Sequence, residues 1–192
     1  LNPDRIVCGA GSDELLALLA RAYAAPGDEV LFGEHAFVMY ALFALSVGAT
    51  PVKAPETNFT VTIDAILSKV TKRTRIVYIA NPNNPTGAVY PPAVVKDILQ
   101  VAREFGLVVF SDEIYDKILY DGTEHVSTGA LADDLLVVTM NGLSKSYRCA
   151  GFRSGWMILS GDKRPAADFI SGLDMLASMR LCANVPAQHA IQ

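Results

Sequence analysis

The sequence predicts an α/β fold: three layers, α-β-α, with a mainly parallel central sheet. Two observations predict it. Strand-like and helix-like segments alternate along the whole chain, joined by short links rich in Gly, Pro and Asn. The strand-like runs, such as residues 75–80 and 107–110, are apolar and rich in β-branched residues with almost no polar alternation, as in strands buried on both faces of a parallel sheet. Repeated β-α-β units with short connections place helices on both sides of such a sheet.

The elements follow in order. Residues 5–8 read as a strand. Ser12 suits an N-cap, Asp13 and Glu14 suit a first turn, and Leu15, Leu16, Leu18, Leu19 and Tyr23 give an apolar helical face. Pro26-Gly27-Asp28 ends that helix and residues 29–32 form a short strand. A helix over 36–46 stops at Gly48, and 50–53 is the next strand. Thr62 caps a helix over 63–70. After the strand 75–80, Pro91-Pro92 opens a helix to Phe105, and Gly106 stops it. Strands follow at 107–110, 135–139 and 155–159, with a long helix over 166–180 and a helical pattern after Pro186. The chain begins just before a strand and stops at Gln192 within a helical pattern, so a piece of a longer protein is expected.

Composition excludes several classes. The 192 residues are 51% hydrophobic and 19% charged, which fits a globular chain with a sizeable core. A net charge of −4 without a dense Lys/Arg run offers no field for nucleic acid. The longest apolar run, residues 36–47, is too short for a bilayer, which needs about 20 residues. Cys8, Cys149 and Cys182 have neither disulfide nor zinc spacing and read as reduced thiols in a cytoplasmic protein. No metal site is expected.

In open parallel sheets, ligands sit outside the carboxyl ends of the strands. Four segments fall there, and turn formation alone does not explain their residues. In Asn81-Pro82-Asn83-Asn84-Pro85-Thr86-Gly87, every position but Thr86 is a turn former, more than a turn requires. Asn84 precedes a proline, which biases it to extended backbone and lets its amide project. Ser111-Asp112-Glu113-Ile114-Tyr115 puts a carboxylate at the end of a buried strand, where it needs a partner; an N-cap is the simpler alternative. Lys145, in Asn141-Gly142-Leu143-Ser144-Lys145-Ser146-Tyr147, is either an ordinary solvated surface charge or, at a strand's carboxyl end among Gly and Ser, a group that reaches into a cleft, where partial desolvation and a neighbouring cation favour a nucleophilic amine. Arg153 follows eight residues on, placed for a phosphate. Gly9-Ala10-Gly11-Ser12 leads into a helix N-terminus that favours an anion, with Asp13 expected to contribute backbone only. Phe37 opens the next helix and can stack on a ring or pack in the core.

As an ordered set, Asn-Pro-Thr-Gly, Asp-x-x-Tyr and Ser-Lys with its later Arg resemble the fold-type-I pyridoxal-phosphate (PLP) enzymes, aminotransferase class I/II. The resemblance covers essentially the whole chain. It implies that Lys145 holds pyridoxal 5'-phosphate covalently and shuttles the proton, and that Asp112 faces the pyridine nitrogen. It places Asn84 and Tyr115 on the phenolate oxygen, with Asn84 also touching the substrate carboxylate. Ser12, Asp13, Ser144 and Arg153 match the phosphate cup, and Phe37 the ring-stacking position. Residues 9–87 resemble histidinol-phosphate aminotransferase, and the stretch from Ser111 onward resembles bacterial glutamate–pyruvate (alanine) aminotransferase.

The resemblance further implies that residues 1–192 are the PLP-binding large domain, with the N-terminal arm and the C-terminal small domain lying outside them. Amino acid and 2-oxo acid substrates and a homodimer are expected, and nucleic acid and membrane partners are not. Two alternatives stay open: another PLP reaction on the same scaffold, such as β-elimination or decarboxylation, and a truncated domain that binds PLP without turnover.

Overall fold

The computed structural model describes residues 6–179 and 184–191. The strands are β1 (Ile6–Gly9), β2 (Glu29–Gly33), β3 (Thr50–Ala54), β4 (Glu56–Thr57), β5 (Thr60–Val61), β6 (Thr74–Ala80), β7 (Val108–Asp112), β8 (Val137–Gly142) and β9 (Gly155–Ser160). The helices are α1 (Ser12–Tyr23), α2 (Met39–Ser46), α3 (Ile63–Leu67), α4 (Pro92–Phe105), α5 (Ala167–Met179) and α6 (Val185–His189). A seven-stranded sheet runs in the order β1-β9-β8-β7-β6-β2-β3. β3, β2, β6, β7 and β8 pair in parallel, and β9 is antiparallel to both β8 and β1. The expected three-layer fold with a mainly parallel sheet is therefore present.

Alternation of side chains along each strand divides the core into two layers. Val30, Phe32, Ile76, Tyr78, Phe110, Val138 and Met140 face α1, α2 and α5, packing with Leu15, Leu16, Leu19, Tyr40 and Leu173. Their neighbours Leu31, Val77, Ile79, Val109 and Val137 face α3 and α4, against Ile66, Val95, Ile98 and Leu99. Both faces are covered, which explains why the strand sequences show no polar alternation.

Several boundaries differ from the sequence reading. The helix expected over 36–46 starts at Met39, which leaves Phe37 in the preceding turn. Gly11, at φ 89°, precedes α1 as its N-cap, with no side-chain cap. Ser12 is thus the first helical residue rather than the cap, and Glu14 reaches back to accept from the Ala10 N–H at 2.6 Å. Thr62 does cap α3, accepting from the Ala65 N–H, but that helix ends at Leu67. β8 starts two residues late and runs on to Gly142, because Asn141 and Gly142 continue the ladder against Trp156 and Gly155. The β4–β5 hairpin, which turns through Asn58 and Phe59 at positive φ, was not expected. Gly106 ends α4 in the left-handed conformation, as its sequence position implies. Residues 1–5 and Cys182, and the expected helix end at Arg180, lie outside the described residues.

Register places the site. Ala80, Asp112 and Met140 lie side by side across β6, β7 and β8, so the segments after these strands leave the sheet at one level. β9 runs the other way, so its first residue, Gly155, stands between Gly9 and Gly142 at the same edge.

Phe110 is fully buried beneath this edge and touches the rings of Tyr23 and Tyr78. Phe110→Ala is expected to cost about 3–5 kcal/mol of stability, read as a lower denaturation midpoint with an unchanged slope; a loss within 1 kcal/mol would contradict the packing described.

Candidate active site

A cavity of about 140 Å³ opens at the carboxyl edge of the sheet. Ser12 and Asp13 from the start of α1, Phe37 before α2, Asn84 after β6 and Asp112 at the end of β7 line it. Ser144, Lys145 and Arg153, from the segments between β8 and β9, complete the lining with Ile114 and Ala150. Tyr115 stands outside this cavity. It lines an adjoining one of about 320 Å³ that shares Asn84, and the Lys145 Nζ lies 5.7 Å from its ring centre.

Asp112 is the most constrained member. Its side chain is buried, with Oδ2 accepting from the Tyr40 hydroxyl at 3.1 Å and Oδ1 from the Ile114 N–H at 3.3 Å. Burial pushes its carboxyl up to about 6, opposed by these hydrogen bonds and assisted by the charges of Asp13 and Glu113. The same burial, with Asp112 beside it, holds the Tyr40 phenol well above its ordinary range, so it stays protonated and donates. Tyr40 stacks on Tyr78 at 4.6 Å and meets Phe37 edge-on at 5.7 Å. Tyr40 was missed in the sequence because it sits in an apolar helix and reads as core, and no local signal marks its hydroxyl.

The Arg153 guanidinium lies across the start of α1. It donates to Ser144 Oγ at 3.3 Å, Ala150 O at 3.1 Å and Ala10 O at 3.3 Å. A Cβ on Gly11 would stand 2.7 Å from Arg153 Nη2, and one on Gly155 would stand 2.8 Å from the Ser12 nitrogen. Glycine at both places lets the first turn of α1, the end of β1 and the start of β9 close on one another, bringing helix N–H groups, a hydroxyl and a guanidinium to one corner. That donor set suits a dianionic phosphate.

Asn84 is half-buried, and no protein group hydrogen-bonds its side chain among the described residues. Its segment is fixed by neighbours instead: Asn83 Nδ2 donates to His35 O at 3.0 Å and Thr86 Oγ1 at 2.8 Å, and Asn81 Oδ1 accepts from the Tyr90 N–H at 2.9 Å. Lys145 lines the cavity and is exposed rather than partly desolvated. Asp13 was expected to contribute only backbone; it lines the cavity, and its charge acts on Asp112.

A sequence profile described as aminotransferase class I and II matches residues 1–191. The chain belongs to this family. Glutamate-pyruvate aminotransferase AlaA of Haemophilus influenzae is 50% identical over 190 residues, covering 97% of this chain and 47% of that protein. Histidinol-phosphate aminotransferase of Roseobacter denitrificans is 44% identical over 184 residues, covering 94% of this chain and 50% of that protein. A crystal structure of an aminotransferase from Escherichia coli superposes with a TM-score of 0.95 at 48% identity, over 98% of this chain and 48% of that one. The chain thus spans about half the length of the curated relatives it matches. Relatives of both kinds that the sequence resembles align along nearly all of it.

The raised Asp112 carboxyl has a consequence for stability. The folded protein holds this proton more tightly than the unfolded chain, whose aspartates titrate near 4. The group's contribution is therefore full below about pH 4 and is lost as pH rises through about 6. For the cofactor-free protein at pH 8, Asp112→Asn is expected to raise the melting temperature, with a gain that shrinks as pH falls towards 4. A difference that does not vary with pH would contradict the assignment.

Proposed function

We propose that this chain is the cofactor-binding portion of a PLP-dependent aminotransferase that moves an amino group between an amino acid and a 2-oxo acid. The observation that carries the reading is convergence. An amine (Lys145), a buried carboxylate (Asp112), an unpartnered amide (Asn84), an aromatic ring (Phe37) and a guanidinium with its phosphate-sized corner (Arg153, Ser144, Ser12) line one cavity.

The residues fit pyridoxal phosphate. Asp112 retains acceptor capacity beyond its two hydrogen bonds, and burial raises its carboxyl, with the charges of Asp13 and Glu113 adding to it; a ring N–H⁺ is a partner that would favour its charged form. The glycine-lined approach of Arg153 to the start of α1 leaves helix N–H groups open to an anion. When bound, the cofactor supplies an aldehyde that engages an amine and a protonated ring that withdraws electrons from the substrate carbon.

The chain's own residues divide the remaining work. Asp112 would keep the ring nitrogen protonated, with Tyr40 and the Ile114 N–H holding its carboxylate in place. Asn84 donates its amide to the phenolate oxygen and to the substrate carboxylate, with Tyr115 beside it. Phe37, which lines the cavity, would stack on the ring. Arg153, Ser144, Ser12 and the first-turn amides of α1, including that of Asp13, hold the phosphate. The Lys145 amine would hold the cofactor and, when free, would move the proton at the substrate carbon as base and then acid.

The 50% identity to AlaA favours alanine and glutamate, with pyruvate and 2-oxoglutarate, over histidinol phosphate. A dimer is part of the reading, from the family resemblance. A cytoplasmic setting rests on the cysteine spacing and the free Cys149 thiol.

With wild-type protein, pyridoxal phosphate is expected to give a visible absorbance band that alanine or glutamate bleaches and histidinol phosphate leaves unchanged. Bleaching by histidinol phosphate alone would reassign the substrate. Products appearing without any 2-oxo acid would point to elimination or decarboxylation, and a band that no amino acid alters would mean binding without turnover. Lys145→Ala is expected to abolish the band and to lower amino transfer by roughly 10²–10⁴-fold, the usual contribution of a positioned acid–base group. A mutant that retains the wild-type band would remove Lys145 from this role.

A further inference from the structure

Beside the cavity, and not lining it, lies a buried polar cluster that the proposed chemistry does not use. Glu113, the residue after Asp112, is 3% exposed. Its Oε1 accepts from Ser111 Oγ at 3.0 Å, Ser127 Oγ at 3.1 Å and the Thr128 N–H at 2.8 Å. Its Oε2 stands 3.8 Å from Nε2 of His125, whose side chain is 7% exposed. That nitrogen is only 2.7 Å from the backbone oxygen of Asn81. A carbonyl oxygen only accepts, so Nε2 carries the hydrogen and His125 donates.

The position of that carbonyl gives the contact its meaning. Asn81 is the first residue of the segment that carries Asn84. Its N–H donates to Asp112 O at 3.0 Å, continuing the sheet for one more bond. Its side-chain oxygen takes the Tyr90 N–H at 2.9 Å. Beyond it, the Asn83 N–H donates to Ala88 O at 2.7 Å and the Gly87 N–H to Asn83 O at 2.8 Å, closing the segment on itself. The loop is therefore held at 81 and 83 while Asn84 stays free to face the cavity. Of these supports, the bond from His125 alone comes from a side chain far along the chain, 44 residues on. It is tied through Glu113 to the strand end bearing Asp112.

We propose that His125, backed by Glu113, is a positioning residue: it fixes the Asn81 carbonyl relative to the end of β7 and so sets where the Asn84 amide stands over the cavity. It touches neither substrate nor cofactor. The proposal rests on the reading of Asn84 as a cofactor and substrate contact, but its first test does not.

That test uses cofactor-free protein and amide hydrogen exchange. His125→Leu, which keeps bulk and removes the donor, is expected to speed exchange at Asn83 and Gly87 by roughly ten-fold and to leave core strand amides such as those of β6 unchanged. His125→Gln, which restores an N–H at the end of a flexible chain, is expected to recover much of the protection. Unchanged exchange at Asn83 and Gly87, or equal acceleration throughout the sheet, would overturn the clamp whether or not the protein binds pyridoxal phosphate.

In the loaded protein, His125→Leu is expected to raise KM for the 2-oxo acid by roughly three- to ten-fold, the effect of one misplaced hydrogen bond, with a smaller change in kcat. The same substitution in an Asn84→Ala background is expected to add nothing further. Fully additive effects would overturn the proposal, because His125 would then act independently of Asn84.

Discussion

The arrangement of the site depends on one constraint, a carboxylate buried at the end of a central strand. Asp112 ends β7 between Ala80 and Met140, with sheet on both sides and Tyr40 above it. Burying a charge without a full set of partners is costly, and the raised carboxyl reports that cost. The surroundings are organised around it. Tyr40 reaches across from α2 to occupy one oxygen, and its ring is locked between Tyr78 and Phe37. Phe37 is consequently held at the cavity by the same aromatic group that serves the carboxylate. A cationic ligand that engages Asp112 relieves a penalty already built into the fold, so part of its affinity comes from the chain's own strain in charge.

A second constraint is backbone proximity. Gly9, Gly155 and Gly142 stand in one row across β1, β9 and β8. A Cβ on Gly155 would collide with the Gly11–Ser12 peptide, and one on Gly142 with the Ser154 carbonyl. The antiparallel strand β9 is what makes this possible: by running backwards, it delivers its first residues, and Arg153 just before them, to the edge where the parallel strands finish. A parallel strand in that position would carry Arg153 to the opposite edge of the sheet, away from the helix N-terminus it now crosses.

Much of this was legible in the sequence, for identifiable reasons. Buried parallel strands have a continuous apolar signature, so their ends can be located, and ligand-facing residues at those ends stand out as polar groups that turn chemistry does not require. Asn84, Asp112, Ser144, Lys145 and Arg153 were singled out in this way as candidates, and all of them line one cavity. Residues whose chemistry is carried inside ordinary-looking elements were not legible. Tyr40 is one aromatic among many in an apolar helix, and His125 is a single histidine in a loop whose partner lies at a strand end far upstream. The direction of β9 also left no trace, because its unbroken apolar run from Trp156 to Leu159 has the composition of a parallel neighbour. The misplaced start of α2 has a similar cause: residues 36–38 are as apolar as the helix they precede, so composition does not mark where it begins.

Asp112 and Lys145, which both line the cavity, are treated in opposite ways, and the proposed chemistry requires that difference. Asp112 is fixed by two hydrogen bonds and buried, so it has one position and one task. Lys145 has a fixed backbone and a free side chain. Its carbonyl accepts from the Arg148 N–H at 2.9 Å, and the flanking Leu143 is tied to Ser154 and Cys149, while its amine makes no hydrogen bond among the described residues. A lysine that must hold a ligand, release it and then carry a proton between two atoms cannot be locked by protein partners, because each partner would have to be broken at every step. Rigidity in the main chain with freedom in the side chain keeps the amine within reach without committing it to a single contact.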